Sequence, residues 1–519
     1  MKSIILIAYE NDCYNYVYLY HSLSSRGYDV HVIIGDFFSL ITGNNYVQNI
    51  LVDNGVPKEK IFDFKEEIIG INKCNNVGVD YDFLNAVEKT FLSNRVISHL
   101  IYADVYLSGS MHNRDNIYRP SDDSLVYLLV ERLIKKSNKY FELINPDLIF
   151  TFGAYNFVRN YFYEKSLIND VIFLSLIPSR INDICFLSDR SIFKIPSLVN
   201  KEMLRLLKEG NENEFKEADD YIARIKVERK AAYNIDKYDY NFNLKEKLSF
   251  WYQFKSLFRP VLSLPRAFIN DTSTLVRGGV SRNYFYIYSV LYLYYISVRT
   301  VYRNSRYFRN KSLNNVELPL CNYVFYSLHT IPEDGVFTQS KLTDELYNIM
   351  RISKVLPSGY KLVIKLHSTM LLRNSASYPI EWVNRISNLH NTYFVTPLMS
   401  GVDIISNSKG VATIAGTSLL EAALMGKPAF AFGDSEYSVL DGIHTFSEES
   451  FLFNLNNYAL KKENNHRYYI QAIFNQGVKV DLTKYMHVDK RTSSTKEYKN
   501  RFVDILSNEI IETFKNVKE

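Results

Sequence analysis

Three short stretches of this chain carry side chains whose types and spacing suit chemistry. The first is His329-Thr330-Ile331-Pro332-Glu333-Asp334, directly after the apolar run Tyr323–Leu328. A carboxylate there can act as a general base or as a nucleophile toward an electrophilic carbon. Pro332 fixes the backbone between His329 and the two acids. The competing reading is a loop whose acid caps a helix. The second stretch, Lys365-Leu366-His367-Ser368, ends another apolar run, and strand alternation puts Lys365 and His367 on one face. A cation and an imidazole together suit a phosphate, although a histidine at a strand end can equally be structural. The third is Val411–Asp434, VATIAGTSLLEAALMGKPAFAFGD. It reads as a buried strand, a Gly-Thr-Ser turn, a short helix with one acid, and a second buried strand. The backbone N–H groups of Gly416, Thr417 and Ser418 would open a helix and favour an anion. Glu421, one turn further, can accept hydrogen bonds from neutral hydroxyls such as those of a ribose. An ordinary strand-helix turn with a solvated glutamate is the alternative.

These stretches need a frame. Ile4–Tyr9 and Val30–Asp36 flank a segment of helical periodicity that ends in glycine, and Asp147–Gly153 and Val171–Leu176 are two more continuous apolar runs. Such runs suit strands buried on both faces of a parallel sheet covered by helices. A second set begins at Asn322: Tyr323–Leu328, Lys361–His367, Tyr393–Pro397, Gly410–Gly416 and Pro428–Gly433, with helical patterns between them. The chain of 519 residues is too long for one core. The expected division is an α/β unit over residues 1–242 that binds the acceptor, a basic aromatic linker over 243–315, a nucleotide-binding α/β unit over 316–490, and a last helix over 491–519 that crosses back to the first unit. Ligands of such folds sit at the carboxyl ends of the strands, so the turns at His329, His367 and Gly416 should converge. In the first unit the corresponding positions are Glu10 and Asn11, Tyr155 and Asn156, and Ser179 and Arg180, each with a surface-loop role as the alternative. Arg180 can pair with a carboxylate or a phosphate.

Composition narrows the class. Hydrophobic residues make up 47% and charged residues 23%, ordinary globular values. The four cysteines, Cys13, Cys74, Cys185 and Cys321, are scattered without metal-ligand spacing, which predicts buried thiols and no metal site. The N-terminal apolar run meets acids at once, so it reads as a strand and not as a signal peptide, and no uncharged run reaches the ~18 residues of a membrane span. Between Trp251 and Ser312 ten basic residues face the single acid Asp271, an excess of +9 that leaves −4 for the rest of a chain of net charge +5. The charge is local, which argues against nucleic acid as a partner. Its company of tyrosines, in YFYIYSVLYLYYISVRTVYRNSRYF, suits either an aromatic helix packed between domains or contact with an anionic membrane surface.

The order FYSLHTIPEDGV, LPSGYKLVIKLHS and VATIAGTSLLEAALMGKPAFAFGD resembles the bacterial capsule and surface polysaccharide transferases related to the Kdo (3-deoxy-manno-octulosonic acid) transferases. The resemblance covers Tyr323–Tyr437; over the first 250 residues it extends to general organisation. It implies a GT-B fold, two Rossmann-like domains facing a cleft. It also implies transfer of Kdo or a related nonulosonic acid from a CMP donor to a surface polysaccharide or glycolipid, with retention and without a cofactor. By the same resemblance Lys365, His367, Gly416, Thr417, Ser418 and Glu421 would hold the donor, and Glu333, with Asp334 and His329 beside it, would serve the reacting carbon. The scattered cysteines suit the reducing cytoplasm, and the membrane reading of residues 251–312, the alternative to packing between domains, would add peripheral docking on the inner face of the cytoplasmic membrane. Two departures stand out. Leu366 and Ser368 replace the acid and the proline of the family's strand end, and Glu333 stands where enzymes of known mechanism tend to have aspartate. A UDP-sugar 2-epimerase-like isomerase shares the architecture, and a non-catalytic GT-B protein that binds glycan or assembles partners is the third reading.

Overall fold

The computed structural model describes residues 2–9, 12–35, 46–69, 78–93, 95–104, 123–153, 156–182, 184–190, 194–229, 313–329, 342–367, 380–458, 465–480 and 495–518, together with Tyr295, Val298, Tyr302, Val336 and Ser340. The apolar runs of the first half form β1 (Ser3–Ala8), β2 (Asp29–Ile34), β3 (Ile61–Phe62), β4 (Leu148–Phe152), β5 (Ile172–Ile181) and β6 (Ile184–Ser188), in the spatial order β3-β2-β1-β4-β5-β6. β1 to β5 are parallel and β6 returns antiparallel along β5. The runs are apolar throughout because both faces are covered. Ile5, Ile7 and Ile149 face the helices Asp123–Ile144 and Phe157–Ile168, while Ile4, Leu6 and Leu148 face the helix Cys13–Ser25.

The second half repeats the winding. β7 (Tyr323–Ser327), β8 (Lys361–Lys365), β9 (Thr392–Val395), β10 (Gly410–Thr413), β11 (Ala429–Ala431) and β12 (Ile443–Thr445) form an all-parallel sheet ordered β12-β11-β10-β7-β8-β9. Each sheet starts in its middle and winds outward both ways. The places where the direction reverses, between β1 and β4 and between β7 and β10, are the crevices where such sheets take ligands.

The two units exchange helices. Ser197–Glu209 and Lys216–Glu228, expected to close the first unit, pack on His466–Gln476: Val199, Met203, Phe215 and Tyr221 share a core with Leu419, Ile470 and Ile473 of the second. Arg467 bridges Glu212 at 2.8 Å and Asp219 at 2.7 Å across this contact. In the other direction the C-terminal helix Asp504–Lys518 and the turn before it lie on the first sheet, with Phe502, Leu506, Ile510 and Phe514 buried among Val17, Leu148 and Leu174. Ile510→Ala is therefore expected to cost about 2–5 kcal/mol of stability through transfer and cavity terms, read as a lowered denaturant midpoint.

Several expectations change. β5 runs to Ile181 and turns back into β6, so Ser179 and Arg180 lie in the bulged end of a hairpin and not in a loop leaving the sheet. Short β6 and β12 were not distinguishable from loop by their pattern. Cys13 and Cys185 are buried, but Cys321 is exposed in the turn before β7, where no packing element covers it; Cys74 lies outside the described residues. Tyr295, Val298 and Tyr302, helical and exposed, are what is described of the basic aromatic segment, so its proposed membrane contact falls outside. Among the described residues no helix is long and apolar enough to cross a membrane.

Candidate active site at the second switch point

Three adjacent strand ends, those of β8, β7 and β10, are tied together at the carboxyl edge of the second sheet. Leu328 N–H donates to Lys365 O at 3.3 Å, and Thr413 Oγ1 donates to Ser327 O at 2.9 Å. His329, the second residue beyond β7, spans the crevice to β10. Its Nε2–H donates to Ala415 O, and its Nδ1–H and backbone N–H both donate to Glu345 Oε1, at 2.9 and 3.0 Å. Both ring nitrogens face acceptors, an arrangement that selects the doubly protonated imidazole. Glu345 is 1% exposed and opens the helix Glu345–Val355, whose N-cap Asp344 accepts from Tyr347 N–H at 3.1 Å. Its role was not foreseen. An acid in the first turn of a helix satisfies the helix dipole wherever it points, so its type and position do not reveal that it is buried.

The imidazole lies against the Gly416 turn. A Cβ on Gly416 would come 3.4 Å from His329 Nε2, ordinary van der Waals contact, so the ring and the turn lie directly against each other. Gly416 is the extended N-cap of the helix Thr417–Leu424, which receives no side-chain cap and has no acid in its first turn. Its positive end therefore meets no competing carboxylate from its own first turn. Ser418 is buried, and Gly416 and Thr417 are partly open.

Lys365, the last residue of β8, is half-buried. Burial pushes its ammonium below the ordinary lysine range, and the Glu421 carboxylate pulls it part of the way back. Glu421 is 7% exposed. It also acts on Tyr221, whose hydroxyl is pushed up by burial first, eased by Arg224 and raised again by Glu421. Glu421 therefore sits between Lys365 and a helix supplied by the first half of the chain. His367 is partly exposed just past β8. His329, Lys365, Gly416, Thr417, Ser418 and Glu421 are thus gathered around one sheet edge, while Glu333 and Asp334 lie outside the described residues.

Of the first-unit candidates, Glu10, Asn11 and Tyr155 lie outside the described residues. Asn156 is a helix cap: its Oδ1 accepts from Arg159 N–H at 3.1 Å and its Nδ2 donates to Gly35 O at 3.4 Å. Arg180, at a left-handed φ of 62°, acts electrostatically on Glu436 of the second unit, and Tyr437 beside it donates its hydroxyl to Ser179 O at 3.5 Å. Arg180 is thus placed where the units touch. The Glu436 carboxyl is pushed up by burial, and Arg180 pulls it down. A raised carboxyl holds more protons folded than unfolded, so stability falls as pH rises from the ordinary glutamate range through the folded value. Arg180→Met should raise that value and deepen the fall, seen as a steeper loss of melting temperature between pH 4 and the folded value.

Two doubly wound sheets with helices on both faces constitute a two-domain α/β fold of the GT-B type. Among solved structures the chain is similar to Thermosulfurimonas dismutans KpsC, a beta Kdo 2,7 transferase, at 10% identity over 74% of this chain and 90% of that one, with a TM-score of 0.36. It is also similar to S. aureus MnaA in its UDP co-structure, at 10% identity over 97% and 98% with a TM-score of 0.26. The Neisseria meningitidis UDP-GlcNAc 2-epimerase bound to UDP-GlcNAc matches at 10% identity over 99% and 100% with a TM-score of 0.25. No family model matches the chain, and no curated protein matches it. Among the described residues no group of three or more His, Cys, Asp or Glu side chains is placed to hold a metal ion.

Proposed function

We propose that this protein is a glycosyltransferase that moves a sugar acid, Kdo or a related nonulosonic acid, from a CMP donor to a surface polysaccharide or glycolipid. The observation that carries this reading is the junction of His329 with the Ala415–Gly416 turn at the second switch point, beside an uncapped helix start and the Lys365–Glu421 pair. A single phosphate bound there would draw on the helix N-terminus, the Lys365 ammonium and the His367 imidazole, an environment that suits a departing CMP. Glu421 is assigned to the nucleotide and His367 to its phosphate. Glu333 or Asp334 is assigned to the sugar. Its carboxylate attacks the anomeric carbon as CMP leaves with the bonding pair, and the acceptor hydroxyl then displaces it after losing its proton, with net retention. Beyond the CMP-activated sugar the reading invokes no cofactor.

Incubating the full chain with CMP-Kdo and an acceptor extract, and in parallel with UDP-N-acetylglucosamine, tests it. Release of CMP with labelled sugar in the acceptor is the expected result. Appearance of the 2-epimer would replace the reading with an isomerase. Failure to bind CMP or UDP would leave a GT-B protein that binds glycan without turnover.

A further inference from the structure

The first sheet has a switch point of its own, between β1 and β4, and its occupant is Arg159. This arginine lies in the first turn of the helix Phe157–Ile168 that follows β4, and it is 5% exposed. Its guanidinium carbon lies 3.5 Å from the ring centroid of Tyr9, the residue that follows β1, so the side chain spans the crevice as His329 does in the second unit. Tyr9 is held in turn over Gly35 beyond β2, where a Cβ would come 3.2 Å from its ring.

Nothing in the helix explains a cation at this place. The first turn is the positive end of the helix dipole, where a guanidinium is disfavoured. Two of the backbone donors there are already satisfied, Phe157 N–H by Asp104 Oδ2 at 3.1 Å and Arg159 N–H by Asn156 Oδ1. The stacked face of the guanidinium is covered by Tyr9, but its Nε and Nη2 make no hydrogen bond, and Arg159 forms no ion pair among the described residues. A buried guanidinium fork is costly without an oxyanion. Asp12 and Arg159 both act on Tyr16, whose hydroxyl burial pushes up, Arg159 lowers and Asp12 raises, so a carboxylate shares this neighbourhood without pairing with the guanidinium. An anion accepted there must therefore make direct bonds to Nε and Nη2, the edge geometry that a phosphate or carboxylate fits in bidentate fashion.

We propose that the first switch point is a second anion site, in which Arg159 takes a phosphate or carboxylate through Nε and Nη2. That this anion belongs to the acceptor rests on the transferase reading above; the anion site itself does not. A lipid-linked phosphate and a carboxylate on a growing acidic glycan share the required oxyanion, and the probes separate them.

The full chain is titrated with inorganic phosphate and, separately, with glucuronate, in the presence of saturating CMP so that the second switch point is filled, and binding is followed by calorimetry and melting temperature. Wild type is expected to bind at least one probe and to be stabilised by it. Arg159→Gln is expected to weaken that probe at least tenfold while leaving CMP affinity within twofold. Should Arg159→Gln fail to fold, Arg159→Lys decides, because it keeps the charge but not the planar fork, and a loss of roughly tenfold is expected. Preference for phosphate indicates a lipid-linked or phosphorylated acceptor, and preference for glucuronate an acidic glycan. Equal binding by wild type and both folded variants, or no binding of either probe by wild type, overturns the proposal. Failure of CMP to bind counts against the transferase reading, and the difference between wild type and the Arg159 variants still decides the anion site.

Discussion

Glu345→Ala is expected to be the most damaging single substitution at the second switch point. The carboxylate, itself buried, accepts two hydrogen bonds from His329, one from the backbone and one from the ring. Removing one member of a buried pair leaves the other charged and unpaired, at about 3–5 kcal/mol. Loss of nucleotide binding should accompany this destabilisation, because the freed ring no longer holds the Ala415–Gly416 turn against β7. Glu345→Gln separates the two effects. The amide oxygen can still accept from Nδ1 and from the backbone, so fold and turn should survive with a smaller loss. Urea unfolding and CMP titration on both variants provide the check. If Glu345→Ala binds CMP as wild type does, the imidazole strut is irrelevant to the site.

The second large effect is expected at Lys365. An ammonium hydrogen-bonded to a phosphate contributes about 1.5–3 kcal/mol, so Lys365→Met should weaken CMP binding by roughly ten- to a hundredfold. The same change strands the Glu421 carboxylate in a buried place, so the single variant should also lose stability. Adding Glu421→Gln should restore stability without restoring affinity. The pH profile gives a further signature. Burial has lowered the Lys365 ammonium, so in the free protein it loses its proton at a lower pH than an ordinary lysine. Above that value nucleotide binding must take up a proton, and affinity should fall with rising pH. In unfolding the sign is opposite, since the unfolded chain holds this proton longer and stability from this group rises with pH across the same window. Lys365→Met should flatten the alkaline limb of binding. A limb unchanged by the substitution would assign the proton elsewhere.

The parts of this architecture that could be read from the chain are those where one residue pattern has one physical outcome. Apolar runs such as Leu148–Phe152 and the Leu362–Ile364 centre of β8 became parallel strands, because double-sided burial tolerates no polar alternation. Gly27, at positive φ, stands where the stop after the first helix was expected. That the turns at His329, His367 and Gly416 follow neighbouring strands was legible from the apolar runs alone. What escaped was decided by partners far away in the chain. Glu345 has the look of a dipole-satisfying acid until His329 is seen above it. Arg159 sits in a helical pattern whose burial depends on Tyr9, 150 positions earlier. The charged helices 197–228 have an amphipathic pattern that states how much apolar face must be covered but not which unit covers it. That choice depends on His466–Gln476, a segment that nothing near residue 200 announces.

This exchange of helices has a consequence for any attempt to take the protein apart. A cut between residues 229 and 313 would release a front half carrying two helices whose apolar faces belong on the back half, and a back half whose terminal helix belongs on the front. Neither fragment would be self-sufficient, and each should aggregate when made alone. Produced together they should find each other and rebuild a nicked protein that co-purifies and melts as one, since each fragment carries the missing wall of the other's core.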